Sequence, residues 1–77
     1  MTKSQYSYIS GSQMIKYLQK YYQISIVSQK WSHIKVKWAD GKVSIIPNHK
    51  ELAYGTFSDI LTQLWIDEKV FLDQINK

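Results

Sequence analysis

Residues 32–39 alternate without a break: Ile34, Val36 and Trp38 fall on one side of an extended chain, and His33, Lys35 and Lys37 fall on the other. Successive side chains of a strand point to opposite faces. The segment therefore has one face to bury and one basic face that must meet water or a charged partner. A sheet covered on one side only satisfies both demands, and that arrangement is the habit of antiparallel sheets.

The flanking residues supply the rest of such a domain. Upstream, Ser10-x-x-Gln13 has the spacing of a capping box, in which the serine oxygen accepts an orphan N–H of the first helical turn. Met14, Ile15, Leu18 and Tyr21 or Tyr22 follow as one apolar helical stripe, with Lys16 and Lys20 on the wet side. Residues 23–29 alternate moderately and read as a first strand. Asp40-Gly41 is expected to make a two-residue hairpin turn, and residues 42–47 return as a third strand that Pro47 ends. Thr56 is the expected N-cap of a helix carrying Phe57, Ile60, Leu61 and Leu64, with Asp59 at its third position. Asp67 reads as a second N-cap, so a short final helix holds Val70, Phe71 and Ile75. The order implies an α+β fold: an antiparallel three-stranded sheet with both helices on one face. Residues 1–9 read as a flexible N-terminal lead and residues 10–77 as a single domain.

With 77 residues, such a domain buries only about 60% of the surface its unfolded chain exposes. A thin core leaves no room for a walled cofactor cavity and favours a surface that meets a macromolecule. Cysteine is absent, which removes disulfides and thiolate metal ligands. No apolar run approaches the roughly 20 residues of a membrane helix, and Met1 to Ser10 lacks the core of a signal peptide. A cytoplasmic protein with no membrane association is expected. Charge is divided: residues 1–50 carry eight lysines and one acid, Asp40, whereas residues 51–77 carry two lysines and five acids. The basic part suits a polyanion, or it is a solvated lysine surface beside an acidic helix. Arginine is absent, which disfavours sequence-specific reading of DNA through arginine–guanine pairs.

Ser32-His33, Asp40-Gly41, Ile46-Pro47-Asn48-His49, Glu51-Leu52, Gly55-Thr56 and Ile60-Leu61 occur in that order. As an ordered set over roughly residues 10–72 they resemble the HicA toxins of type II toxin–antitoxin systems. The resemblance implies a double-stranded-RNA-binding-like α-β-β-β-α fold. It implies a toxin that is a metal-independent endoribonuclease (an mRNA interferase) acting on mRNA without a cofactor, and a HicB-type antitoxin that covers the histidine face. His33 is the position to which the catalytic histidine carries over. One departure stands out: the family has glycine before Ser-His, and this chain has Trp31. Either the strand begins differently here, or Trp31 stands on the outer face beside His33. There it would stack on a nucleobase, clash with RNA or contact the antitoxin.

The chemistry suits the residues. RNA carries its own nucleophile, the 2′-OH, and needs a proton acceptor working near neutral pH and positive charge near the phosphate. Histidine, with an ordinary pKa of about 6.5, is the side chain for the first task. Lys35 and Lys37, about 7 and 14 Å along the same strand face, are candidates to bind substrate phosphate, with Trp31 as a further substrate contact. His49, the second histidine, follows Pro47 in a loop and is read as structural. Ser32 is structural too, because adjacent strand residues face opposite ways. The tyrosines at 6, 8, 17, 21 and 22 are read as packing and surface residues. Two other readings share the fold: a weak or inactive RNA-binding module, and a purely protein-binding subunit.

Overall fold

The computed structural model describes residues 6–76, and these run α1 (Gly11–Tyr22), β1 (Ser25–Lys30), β2 (His33–Lys37), β3 (Val43–Pro47), α2 (Tyr54–Gln63) and α3 (Glu68–Ile75). The strands form one antiparallel sheet in the order β1-β2-β3, so the α+β architecture expected from the sequence is the one observed. Ile34 and Val36 of β2 and Ser44 and Ile46 of β3 make the buried face. Helices α1 and α2 approach the sheet along β3. Ser44, the one buried polar residue among the described residues, donates its hydroxyl to Gln63 Oε1 at 2.5 Å and so ties β3 to the end of α2.

The Ser10 capping box forms as expected: the Gln13 N–H donates to Ser10 Oγ at 3.0 Å, and the Ser10 N–H donates to Gln13 Oε1 at 2.9 Å. Met14, Ile15 and Leu18 of α1 enter the core. Asp67 caps α3, accepting from the Val70 N–H at 3.1 Å. Phe71 and Leu72 of α3 are fully buried, and Phe71 packs against Phe57 of α2 and Tyr17 and Tyr22 of α1. The third helix thus closes the helical layer.

Four local expectations change. First, α2 begins at Tyr54 with Ala53 as an N-cap that makes no side-chain hydrogen bond, so Thr56 lies inside the first turn rather than capping it. Tertiary packing outweighs the capping preference: Tyr54 packs edge-on against Tyr6, and its hydroxyl donates to Glu68 at 2.5 Å. Second, the β2–β3 loop has three residues, 39–41, between Trp38 and Lys42, whose backbones hydrogen-bond at 2.8 Å. Gly41 alone takes positive φ there, at 97°, the usual form of a three-residue hairpin. Third, residues 6–9 of the expected loose lead are docked. Tyr6 and Ile9 are core residues, the Tyr6 hydroxyl donates to the Leu52 carbonyl at 2.5 Å, and the Leu52 N–H donates to the Ile9 carbonyl at 2.8 Å. Residues 1–5 lie outside the described residues. Fourth, β1 is exposed along its whole length, Ile26 and Val27 included. The helical layer covers β2 and β3 and stops short of β1, so alternation in β1 has no core to report on. A bulge between Ile26 and Ser28 further offsets its register.

Candidate functional site

The register of the sheet fixes which side chains share its outer face, because directly paired residues in an antiparallel sheet project to the same side. Lys37 lies between Ser25 and Val43, Lys35 between Ser28 and Ile45, and His33 between Lys30 and Pro47. His33, Lys35 and Lys37 are all exposed, alternating with buried Ile34 and Val36. The structure therefore places the three strand residues expected at the site together on one open face. The imidazole of His33 makes no hydrogen bond with any described residue. None of these paired outer-face positions is acidic.

Lys30 is the member that sequence reasoning missed. It faces His33 directly across β1 and β2, where paired Cβ atoms stand about 5 Å apart. Lys35, two positions along β2, is about 7 Å away along the strand. Extending the first strand by one residue, from Gln29 to Lys30, would have brought this lysine opposite His33. Val43 and Ile45 also escaped notice as site residues. Their side chains, 42% and 46% exposed, form an apolar column beside the lysines.

Trp31 and Ser32 are the two turn residues between the paired ends Lys30 and His33. Trp31 holds φ of 55°, a left-handed conformation natural to glycine and costly for a residue with a Cβ. Its ring is 83% exposed, and the Lys30 ammonium sits over it, 5.2 Å from the ring centroid. The turn thus keeps a glycine-like backbone despite the tryptophan, and the exposed indole stands in it two residues before His33.

His49 is an exposed loop residue beyond β3. Its carbonyl accepts from the Gly11 N–H at 2.9 Å, so its backbone helps seat the start of α1, in line with the structural role expected of it. Gly11 is required at that contact, since a Cβ there would lie 2.1 Å from the Pro47 carbonyl oxygen. Pro47 is in turn the cross-strand partner of His33, and the Asn48 N–H donates to the Ser32 carbonyl at 2.7 Å. The start of α1 thereby braces the strand ends that carry His33.

At the other end of the sheet the charge is spent internally. Lys42 forms an ion pair with Asp40, and its backbone N–H also donates to that carboxylate at 3.0 Å. These hydrogen bonds hold the Asp40 carboxyl below the usual carboxylate range. An open depression lined by Gln23, Ser25, Val27, Lys37, Trp38 and Ala39 lies at this far end of β2, while His33 itself stands on the exposed face of the strand. Among the described residues, no three His, Cys, Asp or Glu side chains converge as a metal-ligand group. No helix among them is long and apolar enough to cross a membrane.

Comparison with protein-family models matches residues 11–66 to the family described as HicA toxin of bacterial toxin-antitoxin systems. The chain belongs to the HicA toxin family. Comparison with curated proteins gives no match. The matched span opens at Gly11, the residue that seats α1 on Pro47, and closes at Ile66, after the last residues of α2. It contains the whole sheet and the turn that carries Trp31. Membership makes the chain a toxin of a toxin–antitoxin system, with an antitoxin as partner in general. The α3 helix of this HicA-family chain lies outside the matched span although it completes the core.

Proposed function

We propose that this HicA-family toxin is a metal-independent endoribonuclease that cleaves mRNA in the cytoplasm, with His33 as its catalytic group, and that a HicB-type antitoxin neutralises it by covering the same face. The observation that carries the reading is the exposed His33 in a row of exposed lysines, on a face with no carboxylate at its paired positions. Lys35 and Lys37 draw the phosphate backbone along β2 as point charges. Trp31 offers a flat apolar surface to a base.

The reaction this face suits is internal transesterification. His33 removes the proton of a 2′-OH, and the freed oxygen attacks the adjacent phosphorus. The bond from phosphorus to the 5′-oxygen of the next nucleotide breaks, and that oxygen takes a proton from solvent. The products are a 2′,3′-cyclic phosphate and a 5′-hydroxyl. A positioned general base contributes roughly 10²- to 10⁴-fold in rate, and nearby ammonium groups offset the charge that gathers on the phosphoryl oxygens. Val43 and Ile45, apolar and half exposed on the same face, suit an antitoxin contact that excludes RNA.

The test pairs growth on induction with cleavage of purified RNA in the presence of a chelator. Wild type arrests growth and leaves cyclic-phosphate ends. His33→Ala, whose side chain is exposed, folds normally and loses at least about 10²-fold in rate. An unaltered rate in His33→Ala defeats the assignment. RNA binding with intact product and harmless expression would make the chain a non-catalytic RNA-binding module.

A further inference from the structure

We propose that Lys30 and Trp31 form a clip that holds an unpaired nucleotide beside His33, so that the site takes single-stranded rather than duplex RNA; this rests on the endoribonuclease reading above. Nothing in the fold accounts for tryptophan at position 31. The side chain is 83% exposed and so adds little to the core. Its backbone holds φ of 55° at the first position of a two-residue turn, where glycine is the unstrained choice. Among the described residues no other aromatic ring stacks on it, and the Lys30 ammonium lies over it at 5.2 Å. Two residues further, the chain supplies the direct cross-strand partner of Lys30, which is His33. A flat ring, a cation and a proton acceptor are thus gathered within one turn.

A second exposed tryptophan shows what is specific to this arrangement. Trp65 is 80% exposed, also has positive φ, at 59°, and has the Lys42 ammonium 4.9 Å from its ring centroid. There, however, Lys42 is already paired with Asp40, and Asp67 and Glu68 follow close behind in the chain. Lys30 makes no ion pair with any described residue, and it faces a histidine. The Trp31 pair alone joins an available cation to a catalytic candidate.

The ligand chemistry follows. An A-form duplex shows a protein its phosphates and 2′-hydroxyls and keeps its base faces stacked inside, so an indole at the tip of a turn has no use for it. An unpaired base stacks on the ring, and Lys30 meets the phosphate attached to it. Lifting one nucleotide out of its own stack also frees its sugar to bring the 2′-oxygen into line with the bond that breaks, a geometry that helical stacking opposes.

The experiment uses the full chain and synthetic RNA: one oligonucleotide alone, the same strand annealed to its complement, and single-stranded versions lacking the base on either side of the cleaved bond. Wild type cleaves the free strand at least ten-fold faster than the duplex, and loss of one flanking base raises KM roughly ten-fold. Trp31→Gly, which suits the backbone at that position, shows that ten-fold loss on the intact strand and no further loss on the abasic one. Trp31→Tyr restores the difference, and Lys30→Ala lowers the salt slope of binding by roughly one. Equal cleavage of free and paired strands overturns the proposal, as does an abasic penalty that survives in Trp31→Gly. Unchanged cleavage by Trp31→Gly together with weakened neutralisation by the antitoxin overturns it as well, by giving the ring to the protein partner. If wild type cleaves neither RNA, the endoribonuclease reading falls first and takes the clip with it.

Discussion

At position 31 backbone and side chain disagree, and the disagreement is measurable. A left-handed conformation costs a residue with a Cβ roughly 1–2 kcal/mol, and the exposed indole returns little of that through burial. Trp31→Gly is therefore expected to be more stable than Trp31→Ala by about 1 kcal/mol, read from urea midpoints at equal m-values; a reversed order would show that the turn relaxes to accept a Cβ. Tyr6 offers a second residue-scale test. Its phenol is raised above the usual tyrosine range, chiefly by burial. Because the folded state holds this proton more tightly than the unfolded chain, the stability it contributes is complete below about pH 10 and is lost as pH climbs beyond that. Tyr6→Phe should cost about 1 kcal/mol at neutral pH, for the hydrogen bond to Leu52, and should soften the alkaline decline seen in unfolding curves taken at pH 9 to 11.

Among the elements, the joint between α1 and β3 leaves no room for a side chain at Gly11. A methyl at Gly11 would meet the Pro47 carbonyl oxygen at 2.1 Å, so helix and strand end must part by about an ångström. Gly11→Ala is expected to lose roughly 1–3 kcal/mol in thermal or urea unfolding. Because Pro47 pairs with His33, it should also lower RNA cleavage in protein that remains folded; wild-type values for both would mean the joint is slack. The sequence carried much of this level. Strict alternation in β2 fixed the outer placement of His33, Lys35 and Lys37, and the Ser10 and Asp67 caps marked two helix starts where they are observed. Its silence has physical causes. Thr56 is a better cap by local preference than Ala53, yet Tyr54 gains more by packing on Tyr6, a contact 48 residues away in the chain that no local pattern encodes. Lys30 joined the site only through the register of the β1–β2 hairpin, and a bulged strand exposed on both faces has no apolar periodicity from which to read it.

Taken whole, the molecule relies on a helix that lies outside the family-matched span. Phe71 and Leu72 are fully buried, and Phe71 touches aromatic rings from both other helices. Phe71→Ala should cost about 3–5 kcal/mol, a large share of the roughly 4–12 kcal/mol expected of a domain this size. Circular dichroism melting should show a largely unfolded protein near physiological temperature; a midpoint within a few degrees of wild type would mean that α3 is an ornament on a core that stands without it. The charge division noted in the sequence has a partial counterpart in the fold: Lys30, Lys35 and Lys37 stand on the bare side of the sheet, Lys16 and Lys20 on α1, and most carboxylates ride on α2, α3 and their flanks. The bare sheet face, with three lysines and no acid at its paired positions, is therefore a surface that attracts a polyanion.

Strand β1 borrows its order from a single neighbour. With no helix above it and β2 as its sole hydrogen-bonding partner, its amides will trade their protons for deuterium well before those of β2. The lysine opposite His33 thus rides on the segment that frays first. Whatever settles on the bare sheet face will register there as slowed exchange, giving a label-free report of occupancy that works even when nothing is cut.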